Sequence, residues 1–192
     1  MVQEAMGRVE PNALEARVAA LSAEGRWREV VDAYRQSAVR APSPEWGRRW
    51  FAAAAHHSLE ALGDPAAAET YLRRVLASDP GHLPALQGLV GLALYARRPH
   101  RAAMLLEAAW EAAPPQDRAP LAVRLSEVAL DELDERERAL AACFLAYEAD
   151  PKAGSLTRAR RILLEDARPV EAADVLDLEL SHRLKVSSQG GL

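Results

Sequence analysis

The sequence has few cysteine, lysine and aromatic residues, and each shortage narrows the class of function. Cys143 is the only cysteine, so the chain can form no intramolecular disulfide and no cysteine cluster for zinc. Lysine supplies only two of the 24 basic residues. The net charge of −4 argues against a nucleic-acid-binding surface. Aromatic residues make up 5% of the chain, which suits closely packed helices better than a sheet sandwich.

Long apolar runs are also missing. No stretch approaches the roughly 20 residues that a membrane-spanning helix needs. The N-terminus, MVQEAMGRVEP, lacks the apolar core of a signal peptide. We therefore expect a cytoplasmic protein with no membrane partner, and the richness in arginine and alanine indicates a bacterial source. The hydrophobic share of 49% is enough for a sizeable core.

Helix start and stop signals recur along the chain. Gly63 can end one helix in the left-handed conformation, and Asp64 can cap the next one. Pro65 suits the first helical position, where its missing N–H has no cost. Pro80 disfavours helix in the residue before it. The sequence therefore predicts a helix over 66–78, as the second half of a helix–turn–helix unit.

Proline residues repeat with a period near 34. Those that close a helix pair are spaced by 38, 34 and 37 residues. Those that open the second helix of a pair are spaced by 34 and 70, and 70 is two periods of 35. The closing prolines are Pro42, Pro80, Pro114 and Pro151, and the opening prolines are Pro65, Pro99 and Pro169. Such a period indicates an array of helix pairs.

We predict an all-α chain of about five helix pairs within residues 11–185. A flexible lead-in, 1–10, precedes the array, and a flexible tail, 186–192, follows it. The predicted pairs occupy about 11–42, 43–80, 81–114, 115–151 and 152–185. Because one pair cannot bury both of its apolar faces, neighbouring pairs supply the missing core.

Several residue types recur in one register, and through them the chain resembles the tetratricopeptide repeat (TPR) family over roughly 11–185. A glycine lies between helices, a small residue lies early in the second helix, and a large residue follows one turn later. These are Gly25 and Gly63; Ala68, Ala102, Ala139 and Ala172; and Tyr34, Leu72 and Leu106. The resemblance implies a right-handed α-solenoid whose first helices line a concave wall, and it implies protein binding rather than catalysis.

Some positions depart from the family pattern. Val30 replaces the small residue in the first pair, and Arg97 and Asp134 replace the turn glycine. The first helix of the fourth pair allows two registers, and the sequence leaves both open. Either Leu121, Leu125 and Val128 face inward, or Val123 and Leu130 do.

The last predicted helix, 169–185, would cap the array only partly. We expect a stripe of three leucines to pack inward, whereas two other apolar residues have no obvious place in it. The stripe is Leu176, Leu180 and Leu184, and the two others are Val175 and Leu178. An incompletely capped helix could bind a second copy of the chain.

No set of residues indicates a catalytic, cofactor or metal site. His56 and His57 are adjacent, so on a helix they point about 100° apart and cannot ligate one metal together. We expect Cys143 to be a buried, inert thiol. Gly88 and Gly91 follow no strand, which excludes a phosphate-binding loop and favours close helix packing or an open patch of the surface.

A basic group lies near the start of the fifth pair. We prefer to interpret it as a solvated helix face with partial pairing to nearby carboxylates, rather than as an anion site. The basic residues are Arg158, Arg160, Arg161 and Arg168, and the carboxylates are those of Glu165 and Asp166.

The family pattern also implies a binding surface on the concave wall. Its predicted residues are Trp50, His57, Gln87, Gly91, Leu94 and Tyr95, with Arg124 in one of the two registers of the fourth pair. Trp50 and Tyr95 would be aromatic anchors for a partner segment, although each could instead pack between neighbouring pairs. The paired Lys and Asn residues with which some TPR domains hold a terminal carboxylate are missing here.

We therefore expect a non-catalytic adaptor or scaffold that binds a protein or peptide in this groove. One alternative is a scaffold that forms homo-oligomers through its C-terminal helix. Another is a regulatory domain of a larger enzyme assembly.

Overall fold

The computed structural model describes residues 9–152 and 154–189, and every regular element in these ranges is a helix. The chain divides into two compact halves, Met1–Leu92 and Ala93–Leu192. The predicted domain bounds stay a prediction, and residues 1–8 and 190–192 of the lead-in and tail lie outside the described ranges. The helices are α1 (Pro11–Ala23), α2 (Trp27–Val39), α3 (Pro44–Glu60), α4 (Pro65–Ser78), α5 (Leu83–Tyr95), α6 (Pro99–Ala112), α7 (Pro115–Glu127), α8 (Arg136–Ala149), α9 (Ser155–Glu165) and α10 (Pro169–Gln189).

Consecutive helices pack on each other within each half. In the N-terminal half, α2 packs on α1 and on α3, and α3 packs on α4. In the C-terminal half, each of α7, α8 and α9 packs on the helix before it and on the helix after it. The helix predicted over 66–78 is observed as α4, Pro65–Ser78, and the last predicted helix begins at Pro169 as expected but ends at Gln189 rather than at 185.

Local capping explains where α3 and α4 begin. The Ser43 hydroxyl accepts a hydrogen bond from the Trp46 N–H at 3.4 Å, and the Asp64 carboxylate accepts one from the Ala67 N–H at 2.9 Å. Each satisfies a backbone donor that has no partner within the helix, and such a cap stabilises a helix by about 1 kcal/mol.

The turn between the two helices of a pair has the same backbone form five times. One residue in each turn has a positive φ, namely Gly25, Gly63, Arg97, Asp134 and Ala167. The amide that follows it donates to a carbonyl five residues earlier in the first, third and fifth turns, and six residues earlier in the second and fourth. A non-glycine residue at such a position costs on the order of 1–3 kcal/mol. The repeat therefore imposes the turn even where the sequence lacks glycine.

The predicted helix-crossing residues are all buried. Ala68, Ala102, Ala139 and Ala172 have almost no exposed surface, and neither has Val30, which takes this position in the first pair. A small side chain lets two helix backbones approach closely, and the recurrence of burial at this position confirms the predicted register.

Helix α7 adopts the first of its two possible registers. Leu121, Leu125 and Val128 are buried, whereas Val123 and Leu130 are partly exposed. A π-helical turn, Val128–Glu132, continues the helix. It accommodates the added length of the fourth pair, because a π turn contains more residues than an α turn.

The predicted inward stripe of α10 is wrong. Ala172 and Val175 are buried against the core of the C-terminal half, whereas Leu180 and Leu184 are 46% and 70% exposed. Leu176 is half-buried. Ala172 and Val175 are three positions apart on a helix and so share its inward side, which leaves Leu180 and Leu184 turned toward solvent.

Candidate functional site

Trp50 is a core residue and not a surface anchor. Its side chain is 2% exposed, and it packs among Leu14, Val18 and Val30 in the N-terminal half. Its ring centroid lies 5.6 Å from that of Trp46. A buried indole offers no surface to a partner, so the prediction that Trp50 binds one is wrong. The reason is its register, since Trp50 lies on the buried stripe of α3.

His57 is held between two aromatic rings of α2. Its ring centroid lies 5.7 Å from that of Trp27 and 5.8 Å from that of Tyr34, with both pairs stacked. Burial, with a smaller contribution from the charge of His56, holds the pKa of His57 below its usual value. The imidazole thus stacks on rings of its own chain and is only partly exposed.

Helix α5 carries four of the predicted site residues, and none of them is buried. Gln87, Gly91 and Tyr95 are exposed and spaced four residues apart, so they follow one side of the helix. Tyr95 is 79% exposed, and Leu94 beside it is half-buried. A Cβ placed on Gly91 meets no atom within 4 Å, so the surface there is open. These residues form what we call the α5 face: Gln87, Gly91, Leu94 and Tyr95.

Gly88 has a different role from Gly91. A Cβ placed on Gly88 would lie 3.0 Å from Cδ1 of Leu72 on α4. This distance fits the packing interpretation of Gly88, whereas the open space at Gly91 fits the surface-patch interpretation.

Arg124 lies on the exposed side of α7 and belongs to a different cluster. Its guanidinium donates to the Glu127 carboxylate at 2.9 Å, and the same carboxylate accepts from Arg158 of α9 at 3.2 Å. Burial alone would raise the pKa of Glu127, but the hydrogen bonds from the two arginines lower it overall. Arg124 is thus part of an ionised network within the C-terminal half.

Sequence reasoning missed an apolar surface on α10. Leu178, Leu180 and Leu184 are exposed there, and Leu178 also borders an open cavity of about 460 Å³ between α8 and α10. Phe144 of α8 and Val175 line the same cavity. The signal for this surface was present in the sequence, because Val175 and Leu178 had no place in the predicted leucine stripe.

Two common sources of catalytic chemistry are a metal site and a reactive cysteine. Within 9–152 and 154–189 there is no group of three His, Cys, Asp or Glu side chains that could hold a metal ion. Cys143 is buried as predicted, and burial raises the pKa of its thiol, which disfavours the reactive thiolate. No helix in the described ranges is long and apolar enough to cross a bilayer.

Similarity to known proteins is limited to structure. No protein-family model matches the chain, and no curated protein matches it. A crystal structure of the MamA protein is similar with a TM-score of 0.61 and 15% identity, covering 92% of this chain and 93% of that chain. The chain has a TPR-like helical-repeat fold. This confirms the predicted class, an all-α right-handed α-solenoid of about five TPR-like helix pairs.

Two further structures show the same similarity. MamA residues 41 to the end from Desulfovibrio magneticus RS-1 give a TM-score of 0.54 and 20% identity, over 91% of this chain and 95% of that chain. BtubC (BKLC) from P. vanneervenii gives a TM-score of 0.56 and 14% identity, over 93% and 80%. At these identities the similarity concerns the fold alone.

Proposed function

We propose that the protein is a divergent TPR-family adaptor or scaffold in the bacterial cytoplasm. It is non-catalytic and binds a segment of a protein partner through the α5 face. The observation that carries this proposal is the exposure of Tyr95 on the same side of α5 as the open surface at Gly91. The proposed site leaves out Trp50, which is buried, and His57, which stacks on Trp27 and Tyr34.

The chemistry of the α5 face suits a segment with an apolar anchor. Tyr95 and Leu94 supply apolar contact area, and the Tyr95 hydroxyl and the Gln87 amide can orient the partner through hydrogen bonds. Gly91 lets a partner side chain or backbone approach the helix closely, because no side chain stands in the way. Tyrosine is one of the residue types in which binding hot spots are enriched.

Replacing Tyr95 with Ala should weaken binding of the partner by about tenfold, because an aromatic anchor is lost. The free energy of unfolding should change by less than about 0.5 kcal/mol, since Tyr95 is exposed. The partner would be captured from the native cell, identified by mass spectrometry, and its affinity measured by calorimetry. Met104→Ala is the matched control, because Met104 is 67% exposed on another helix, α6. Equal affinities for the wild type and Tyr95→Ala would refute the role of the α5 face.

A second candidate function is self-association through α10. The exposed leucines Leu178, Leu180 and Leu184 favour it, because a second copy of the chain could cover them. Light scattering should then show a mass that rises with concentration, and the double change Leu180→Glu with Leu184→Glu should keep the protein monomeric. A mass equal to one chain at all concentrations would leave partner binding at the α5 face as the sole proposal.

A further inference from the structure

The carboxylates expected to neutralise the basic group of α9 are engaged elsewhere. Glu165 and Asp166 accept from Nη1 of Arg136 on α8, at 3.4 and 2.8 Å. In the part of the chain that the structure describes, Arg160 and Arg161 have no carboxylate within ion-pair distance. The predicted pairing with Glu165 and Asp166 is therefore wrong for the whole basic group, because Arg158 and Arg168 pair with other carboxylates. Arg161 is exposed and Arg160 is partly exposed.

Two neighbouring arginines are fixed in place beside them. Arg158 donates from Nη1 to the Ser126 hydroxyl at 3.0 Å and from Nη2 to Glu127 at 3.2 Å. Glu127 also accepts from Arg124, so a single carboxylate lies between two guanidinium groups of α7 and α9. Together with Arg160 and Arg161, they place four positive charges on this surface of the C-terminal half. Three carboxylates lie beside them: Glu127 and Glu165 are paired with arginines, and Glu179 accepts from the Thr157 hydroxyl at 3.2 Å. We call these four residues, Arg124, Arg158, Arg160 and Arg161, the arginine surface.

The shape of the surface admits a ligand. Three of its arginines line an open cavity of about 480 Å³ along α9, together with Thr157, Leu164 and Glu165. Leu164 is 56% exposed and provides an apolar contact beside the guanidinium groups. Glu165 is paired with Arg136, so it opposes an anion less than an unpaired carboxylate would.

We propose that the arginine surface binds an acidic peptide segment of a protein partner, with an apolar residue of that segment against Leu164. Guanidinium groups hold carboxylates through two parallel hydrogen bonds, and a prepositioned Arg158 loses little side-chain entropy on binding. Nucleic acid fits less well, since the described residues that line the cavity include no aromatic side chain to stack on a base, and the whole chain carries a net charge of −4. This surface is separate from the α5 face and adds a second contact to the proposed function.

The test uses two labelled twelve-residue peptides and the full-length protein. One peptide alternates Glu and Asp around a central Leu, and the other has Gln in place of each acid. Fluorescence anisotropy should show that the acidic peptide binds, that the Gln peptide does not, and that affinity falls as salt is raised. No binding of the acidic peptide, or equal binding of both peptides, would overturn the proposal.

Charge reversal locates the site. The double change Arg160→Glu with Arg161→Glu should lower the affinity for the acidic peptide by about tenfold or more, because charge repulsion replaces attraction. The control is Arg17→Glu with Arg28→Glu, which replaces two exposed arginines of the N-terminal half and makes the same change in net charge. It should have little effect on the affinity for the acidic peptide. If the charge-reversed protein fails to fold, the milder double change Arg160→Gln with Arg161→Gln tests the same site. Equal losses in the two reversed proteins would mean that only net charge matters and would overturn the proposed site.

Two further arms separate this proposal from its rivals. A twelve-nucleotide single-stranded DNA should bind more weakly than the acidic peptide, and tighter binding of DNA would refute the peptide assignment. Tyr95→Ala should leave the affinity for the acidic peptide unchanged. A failure of the arginine surface is therefore distinguishable from a failure of the α5 face.

Discussion

Replacing Trp50 with Ala should lower the free energy of unfolding by about 3–5 kcal/mol, the largest effect that we expect from a single substitution. The indole is almost fully buried between α1, α2 and α3, and its removal leaves a cavity that the surrounding helices can fill only in part. Urea denaturation followed by far-UV circular dichroism measures the change. Tyr95→Ala is the control, since it removes an exposed aromatic residue.

The same experiment decides between the two interpretations of Trp50. If Trp50 is a core residue, Trp50→Ala should cause a large loss of stability. A loss below about 1 kcal/mol, close to that of Tyr95→Ala, would contradict the core assignment. Such a small loss would make Trp50 a candidate binding residue again.

Replacing Ala102 with Leu should destabilise the protein by about 1–3 kcal/mol, because three added carbon atoms must fit at a fully buried position of α6. Ala68→Leu should have a similar effect in the second pair, since both alanines are buried at the same position of the repeat. Thermal and urea unfolding measure both.

The repeat offers matched controls on the same helices. Ala108 lies on α6 and Ala66 lies on α4, and both are exposed. Ala108→Leu and Ala66→Leu should therefore change stability by less than about 0.5 kcal/mol. If the buried and exposed alanines tolerate leucine equally well, the assigned helix-crossing register is incorrect.

Helix bounds were predictable because their signals are local. Pro44 and Pro65 begin helices, Gly25 and Gly63 follow helix ends, and Asp64 caps α4, all within a few residues of the boundary that they set. The positive φ of Ala167 had no such signal. It follows from the backbone form of the turn, which recurs whether or not glycine is present.

The orientation of single side chains was less predictable. A first helix of a TPR-like pair contacts the helices on both sides of it, so an aromatic residue such as Trp50 can face the core or a partner with the same spacing. On α10, two sets of apolar residues have helical spacing. One set is Leu176, Leu180 and Leu184, and the other is the buried pair Ala172 and Val175. In the structure Ala172 and Val175 are buried, whereas hydrophobicity alone favours burial of the leucines.

Charge pairing was also misjudged from sequence distance. Glu165 and Asp166 lie close to Arg160 and Arg161 in the chain, yet they pair with Arg136, about thirty residues earlier. Antiparallel packing of α8 and α9 in the C-terminal half brings such distant residues together. The sequence shows the basic group itself, but the structure is needed to show that Glu165 and Asp166 pair elsewhere and that Arg124 joins the group through Glu127.

The central claim, that a partner contacts the α5 face, is tested most directly by site-specific cross-linking in the native cell. A photoreactive phenylalanine analogue would replace Tyr95 in one protein and Met104 in another, because both side chains are exposed and lie on different helices. On illumination, the analogue at position 95 should form one predominant cross-link to a partner protein, and the analogue at position 104 should form none to that partner. A cross-link of equal yield from position 104, or none from position 95, would contradict the proposed site.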